Sequence, residues 1–221
     1  HLAERFGHPE VMPEHLLLKP IFIGNTLIGY AGNIAHIGEI GGMAVGSFAS
    51  TATEVFQEGF RMPPVKLLVE GKNNDDVFRL IRANTRVPDA VLGDIRAMVA
   101  AVRKGSQRFS DVIDRFGLKT TVGALNEILL QGERMARAAV RRIPNGTYSA
   151  EAILDGDGND DAPLDEKLLL KLTITVKDDE LTADFTGTGP QNRGPMNTPE
   201  PSTISATRYA FKIVTTPHLP C

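Results

Sequence analysis

What this sequence has little of narrows it first. It holds one cysteine, Cys221, and no tryptophan, which excludes a disulfide framework and any cysteine-based zinc cluster within the chain. A single cysteine favours a reducing, cytoplasmic setting. Neither sign of charge dominates: 24 Lys and Arg against 27 Asp and Glu leave a net charge of −3, with acids and bases interspersed. Nothing therefore argues for nucleic acid or an anionic membrane as partner. A long apolar run is also missing. The most hydrophobic stretch, residues 20–35, carries Asn25, Asn33 and three glycines, and a span needs about 20 predominantly apolar residues. No transmembrane segment is expected. Nucleotide loops are absent too. Gly41-Gly-Met-Ala-Val-Gly-Ser47 lacks the Lys-Ser/Thr pair of a Walker A loop, and Gly187-Thr-Gly-Pro190 follows an antiparallel strand and opens no helix. The chain binds ATP by no recognisable motif.

What is present divides into three stretches. Residues 1–70 are strand-rich. Leu16–Ile23 and Thr26–Ile34 flank Gly24-Asn25 as a mostly buried hairpin, and Val65–Glu70 reads as a further strand. Residues 71–146 are helical. One helix covers Asp75–Ala83, and Asn84-Thr-Arg-Val-Pro88 interrupts it. Leu92, Ile95, Val99 and Val102 define an amphipathic helix over Asp89–Lys104, closed by Gly105. A shorter helix follows over Ser106–Phe116. Val122, Leu125, Ile128, Leu129, Met135 and Ala139 form one stripe of a helix over Thr120–Arg142, stopped by Pro144-Asn-Gly146. Residues 147–221 return to strands, at Thr147–Leu154, Lys167–Val176 and Leu181–Thr186. They end in a helix over Ser202–Thr216 with Ile204, Tyr209 and Phe211 to bury. Strands, then helices, then strands argue an α+β (mixed α/β) fold, with buried antiparallel strands flanking a central group of helices. A start at His1 without Met and an end directly after Pro220 are what an excised piece of a longer polypeptide would show.

The stretch richest in chemistry is His36-Ile-Gly-Glu-Ile-Gly-Gly-Met-Ala-Val-Gly-Ser47, which ends the most hydrophobic segment. Its glycines admit positive φ and close backbone approach, and His36 can titrate near neutrality or bind a metal. His36 and Glu39 have H-x-x-E form, and Glu14, His15 and His8 lie upstream across the expected hairpin. A site of His and carboxylate ligands suits Mn, Fe or Zn. Asn84-Thr-Arg86 and Gly93-Asp-Ile-Arg96 carry polar groups at expected helix boundaries and would form a pocket if they faced one another. The acidic loop Asp155–Asp161 has alternating Asp155, Asp157 and Asn159, with Glu166 where an EF-hand places its last ligand. However, Asp160 stands where that loop needs glycine, and its flanks read as strands. A solvated hairpin loop is expected there.

Taken together, these segments resemble the B-type subunits of hydantoinase and 5-oxoprolinase, the family that includes acetone and acetophenone carboxylase subunits. The resemblance rests on Pro20-Ile-Phe22, Ala35-His-Ile-Gly-Glu-Ile-Gly-Gly42 with Gly46-Ser47, and Phe56-Gln-Glu-Gly59 with Pro63-Pro-Val-Lys66. It continues through Ala83-Asn-Thr-Arg86, Gly93-Asp-Ile-Arg-Ala97, Pro144-Asn-Gly-Thr-Tyr148, Asp184-Phe-Thr-Gly-Thr188, Gln191 and Gly194-Pro-Met-Asn197. It implies a hetero-oligomeric, ATP-dependent machine. An A-type partner, which binds the ATP, activates a small-molecule substrate with phosphate, and the B-type subunit completes the ring opening of a cyclic amide or the carboxylation of a ketone.

The same resemblance implies roles for particular residues. His36 and Glu39 are expected to be catalytic, and Gly41, Gly42, Ser47 and Arg86 to bind substrate, with the loop amides or Arg86 meeting oxyanionic charge. It also implies a divalent metal, Mn or Zn, held by His36 and an upstream pair. Counting back from Pro20 without a gap, Glu14 replaces the usual aspartate and Val11 stands where the first histidine should be. Glu39 likewise replaces an aspartate, and Met98 a glutamine. Val11 cannot ligate a metal. Either the site is lost, or an insertion lets His1, His8 or His15 substitute. A noncatalytic structural paralogue is the alternative that Val11 raises, and cyclic amides and ketones both stay open as substrates.

Overall fold

A computed structural model describes residues 14–155 and 168–216. Val11, His1, His8 and the acidic stretch from Gly156 to Glu166 lie outside the described residues. The described elements are α+β, as expected. The chain forms two compact units, His1–Leu118 and Lys119–Cys221.

The first unit is built on an antiparallel hairpin, β1 (Glu14–Ile23) and β2 (Thr26–His36), turning at Gly24 with φ 57°. The register pairs Glu14 with His36, Leu17 with Asn33 and Lys19 with Ala31, and shifts once between Ile21 and Phe22. A two-residue ladder, β3 (Leu68–Val69) with β4 (Lys72–Asn73), turns at Glu70 and Gly71, both at positive φ. It replaces the single strand expected over Val65–Glu70, because the chain doubles back where Gly71 admits that turn.

Helix α1 (Asp75–Ala83) opens with Asp75 and Asp76, whose charges suit its N-terminus, and stops at Asn84. Helix α2 (Pro88–Phe116) starts with proline at its first position and ends at Gly117 with φ 81°. The break expected at Gly105 does not occur. Buried positions run straight through it, from Val91, Leu92, Ile95, Met98, Val99 and Val102 to Ser106 and Ile113. Gly105 lies only 3.8 Å, measured from an added Cβ, from Ala31 Cβ on the hairpin. The helix packs across β1 and β2, and Lys19 Nζ donates to Ser106 Oγ at 2.7 Å. Packing over about three further turns outweighs the roughly 1 kcal/mol preference of glycine against helix.

The core of this unit joins Ile37 and Ile40 to Val77, Ile81, Val91, Leu92, Ile95 and Met98. Ile37 is wholly buried. Met98, where the family resemblance expects glutamine, is part of this apolar cluster. The hairpin is not buried on both faces: Ile21 is covered, while Leu16, Leu18, Phe22, Tyr30 and Ile34 are exposed. Alternation along each strand, not the apolar run itself, decides which residues are covered.

In the second unit, helix α3 (Leu118–Val140) precedes a three-stranded antiparallel sheet ordered β5 (Gly146–Leu154), β6 (Leu168–Lys177), β7 (Glu180–Asp184). Arg137 and Arg141 both reach Asp179 in the β6–β7 turn, at 3.3 and 2.5 Å, tying the end of α3 to the sheet. Helix α4 (Glu200–Thr215) closes the described chain with no buried residue. Ile204 and Tyr209, expected to be buried, are exposed, because nothing among the described residues of this unit covers the face they occupy.

Candidate functional site

The segment after β2 is a loop locked to the junction between α1 and α2. Glu39 is the centre of the lock, and only 3% of it is exposed. Its carboxylate accepts from the Gly41 amide, from Ser47 Oγ at 3.3 Å and from Arg86 Nη1 at 2.9 Å. Burial raises the Glu39 pKa, but the Arg86 hydrogen bond, the Gly41 amide, the Arg86 charge and the Ser47 hydroxyl together outweigh it and hold the carboxyl below its ordinary value. Ser47 is as buried as Glu39. Its hydroxyl receives the Ile40 amide at 2.7 Å and donates to Gly41 O at 2.8 Å. Arg86 donates further to Ala44 O at 3.2 Å and Gly42 O at 2.6 Å.

The glycines have a steric reason. Gly41 and Gly42 sit at φ 86° and 84°. A Cβ on Gly41 would stand 2.6 Å from Asn84 O, and one on Gly42 would stand 2.5 Å from Glu58 O. The loop is thus pressed between the end of α1 and the 3-10 turn at Val55–Gln57, which also supplies Gln57 O to the Met43 amide at 2.7 Å. Phe60 N donates to Ile40 O at 2.8 Å. The amides of Ile40, Gly41, Met43 and Ser47 are all committed inside the loop and its supports. None of those four faces outward to meet a developing oxyanion.

The structure therefore brings together Glu39, Gly41, Gly42, Ser47 and Arg86, five of the residues singled out in the sequence. His36 stands just outside them. It ends β2, is exposed, and its ring makes no hydrogen bond among the described residues. Glu39 touches the histidine only through the backbone, since its carboxylate bonds run to Gly41, Ser47 and Arg86. Glu14 is the cross-strand partner of His36 in the β1–β2 register. The sequence reading missed Thr85, whose hydroxyl donates to Glu39 O at 3.2 Å, and Gln57. Thr85 sits inside the Asn84-Thr-Arg86 motif, and that adjacency was the available signal.

A profile of the family described as Hydantoinase B/oxoprolinase matches residues 8–221. The chain belongs to that family. It is 35% identical over 192 residues to a Pseudomonas sp. (strain NS671) protein provisionally named as the B-type subunit of a D-/L-hydantoinase, covering 86% of this chain and 32% of that protein. It is 24% identical over 204 residues to the acetophenone carboxylase delta subunit of Aromatoleum aromaticum (strain DSM 19018 / LMG 30748 / EbN1), covering 90% of this chain and 29% of that protein. The fold is similar to that of the ATP-dependent caprolactamase from Pseudomonas jessenii, with a TM-score of 0.85 at 26% identity. That match covers 96% of this chain and 35% of the caprolactamase chain. This hydantoinase B/oxoprolinase chain thus spans about a third of the length of these three relatives. No helix among its described residues is long and apolar enough to cross a membrane.

The family resemblance implies a divalent metal. The β1–β2 register sets Glu14 opposite His36, but a protein-held ion needs about three protein donors, and the described residues hold no group of three or more His, Cys, Asp or Glu suited to one. The described donor set does not make a complete metal site.

Proposed function

We propose that this chain is part of a B-type subunit that acts on an intermediate activated by an ATP-binding A-type partner. The reaction is the opening of a cyclic amide, a hydantoin or 5-oxoproline, or the carboxylation of a ketone. Membership of the hydantoinase B/oxoprolinase family supports the reaction class, and the lack of a nucleotide loop supports the division of labour. The observation that carries the reading is His36. It is an exposed imidazole at the end of a strand, beside a loop whose carboxylate is already engaged with the Ser47 hydroxyl and with the Arg86 guanidinium.

In this reading His36 exchanges a proton with the substrate or ligates an ion beside it. Glu39 acts indirectly: with Ser47 and Arg86 it fixes the backbone that carries His36. Arg86 has N–H groups beyond the three bonds it makes, and its half-exposed fork is the group here that can face an anionic oxygen. Gly41, Gly42 and Ser47 shape the loop on which substrate rests.

The test is ATP-dependent turnover of the full-length subunit assembled with its A-type partner. His36→Ala abolishes turnover of the accepted substrate while assembly by gel filtration stays intact. Unchanged turnover would sink the proposal. Val11 favours a second reading, a noncatalytic paralogue that holds partner subunits together. In that case neither His36→Ala nor Glu14→Gln changes turnover, and elemental analysis finds no metal assigned to this subunit.

A further inference from the structure

We propose that the groove between the β3–β4 turn and the outer faces of α1 and α2 binds a small organic phosphate. None of its lining residues belongs to the loop around Glu39, and the assignment is independent of the function proposed above.

The groove is open to solvent along one side and holds about 590 Å³, within the several hundred Å³ usual for small-ligand sites. Leu68, Phe78 and Val99 give it an apolar side, and Arg96, Arg103 and Lys104 line the other. Among the described residues, no carboxylate lines it. Arg96, Arg103 and Lys104 all project from α2. Arg96 and Arg103 are seven residues apart, nearly two full turns, so they lie on one face roughly 10 Å apart along the axis. Ala100 stands between them and leaves the middle of that face open.

The local charge is only partly compensated. Arg96 makes no hydrogen bond or ion pair among the described residues. Arg103 gives one N–H to Gly71 O at 3.2 Å, a neutral acceptor. Lys104 has a through-space attraction to Asp111, which is itself held by Gln107 and Arg108. A neighbouring recess of about 340 Å³ shares Arg96, Asn73 and Phe78 and adds Arg79, Arg82 and a single acid, Asp75. The two added arginines are already paired, Arg79 with Asp76 and Arg82 with Asp89. Among the described residues, Arg96 is therefore the free cation common to both hollows.

Three cations facing one cavity repel one another, and an anion placed between them relieves that repulsion. A phosphate fits better than a carboxylate, because its dianionic charge and three oxygens match two guanidinium forks and an ammonium. The apolar side argues for an organic body on the phosphate: Leu68 and Phe78, both half-buried, give such a body a surface that inorganic phosphate would leave wet.

The experiment uses the full-length protein, titrated with phenyl phosphate, inorganic phosphate and benzyl alcohol and followed by calorimetry or ligand-observed NMR. Phenyl phosphate saturates, with affinity about tenfold above that of either other probe, and weakens as salt rises. Arg96→Gln and Lys104→Gln each lower that affinity about tenfold, the loss of one charge-assisted bond. Both side chains are exposed, so melting temperature stays unchanged. Phe78→Ala narrows the gap between phenyl phosphate and inorganic phosphate. His36→Ala binds phenyl phosphate normally. The proposal is overturned if phenyl phosphate fails to saturate, if the Arg96 and Lys104 variants bind like wild type, if benzyl alcohol binds equally well, or if His36→Ala abolishes binding.

Discussion

Removing the Glu39 carboxylate would leave the Gly41 amide without its acceptor and take one bond each from the Ser47 hydroxyl and Arg86, which keep Gly41 O and the Gly42 and Ala44 carbonyls. Arg86 is 42% exposed against 4% for the Glu39 side chain, so solvent screens one end of the pair. We expect Glu39→Ala to cost about 2–3 kcal/mol in urea unfolding, below the usual 3–5 for a fully buried pair. The pH dependence follows from the lowered Glu39 pKa. A carboxyl whose folded pKa is depressed stabilises the fold above its unfolded value, here 4.5, and loses that contribution as pH falls through the folded value. Wild type should therefore lose stability below pH 4.5 by a component that Glu39→Gln lacks. Melting curves at successive acid pH values measure it, and parallel curves for the two proteins would refute it. The glycines offer a contrast at this same scale. Gly42→Ala meets both a positive φ and the Glu58 carbonyl and should cost about 3 kcal/mol or more. Gly46→Ala at φ 80° meets open space and should cost only about 1–2 kcal/mol. The members of this cluster were legible in the sequence as unusual polar groups around glycine. Their pairing was not, because Glu39 and Arg86 are 47 residues apart and nothing local says which donor meets which acceptor. Thr85 escaped notice for the same reason: its bond is to a distant main-chain oxygen.

At the scale of elements, hydrophobic period and most turn and stop residues read correctly, among them Gly24, Asn84 and Gly117, and the break expected at Gly105 is the exception. The hairpin, the three-stranded sheet and the four helices follow from apolar spacing. Gly105 reads as a stop in isolation, yet α2 continues because Lys19 and Ala31 of the hairpin support it from outside the helix. If packing holds α2 through Gly105, that glycine is a net weakness there. A Cβ added to it would sit at ordinary contact distance, 3.8 Å from Ala31. Gly105→Ala should then raise stability by about 0.5–1 kcal/mol, visible as a higher denaturation midpoint with an unchanged slope. A fall in stability would mean that the helix and hairpin approach too closely for a methyl group. The same reasoning explains the errors on α3 and α4. Periodicity marks which face is apolar, but only tertiary context says whether anything covers it.

For the whole molecule the informative residues are the apolar ones left in water. On α3, Ile128 is 62% and Leu129 73% exposed, and Val122 and Leu125 continue the same stripe. On the β1–β2 hairpin, Leu16, Phe22 and Ile34 are exposed as well. Single exposed apolar residues are ordinary, but continuous stripes mark surfaces that something else contacts. The hydantoinase subunit, carboxylase subunit and caprolactamase matched above are each about three times as long as this chain, so a longer polypeptide or an assembled complex has material available to cover the stripes. The prediction separates the two situations. In the 221-residue chain alone, replacing Ile128 and Leu129 together by Gln should shift unfolding free energy by no more than about 0.5 kcal/mol, as for other surface changes. It should also lower binding of a hydrophobic dye. In the full-length protein the same pair should cost several kcal/mol, on the order of 2–5 if the side chains are enclosed there. Equal, negligible effects in both would mean that the α3 stripe stays in water, and the reason for its amphipathic period would then have to lie elsewhere than in packing.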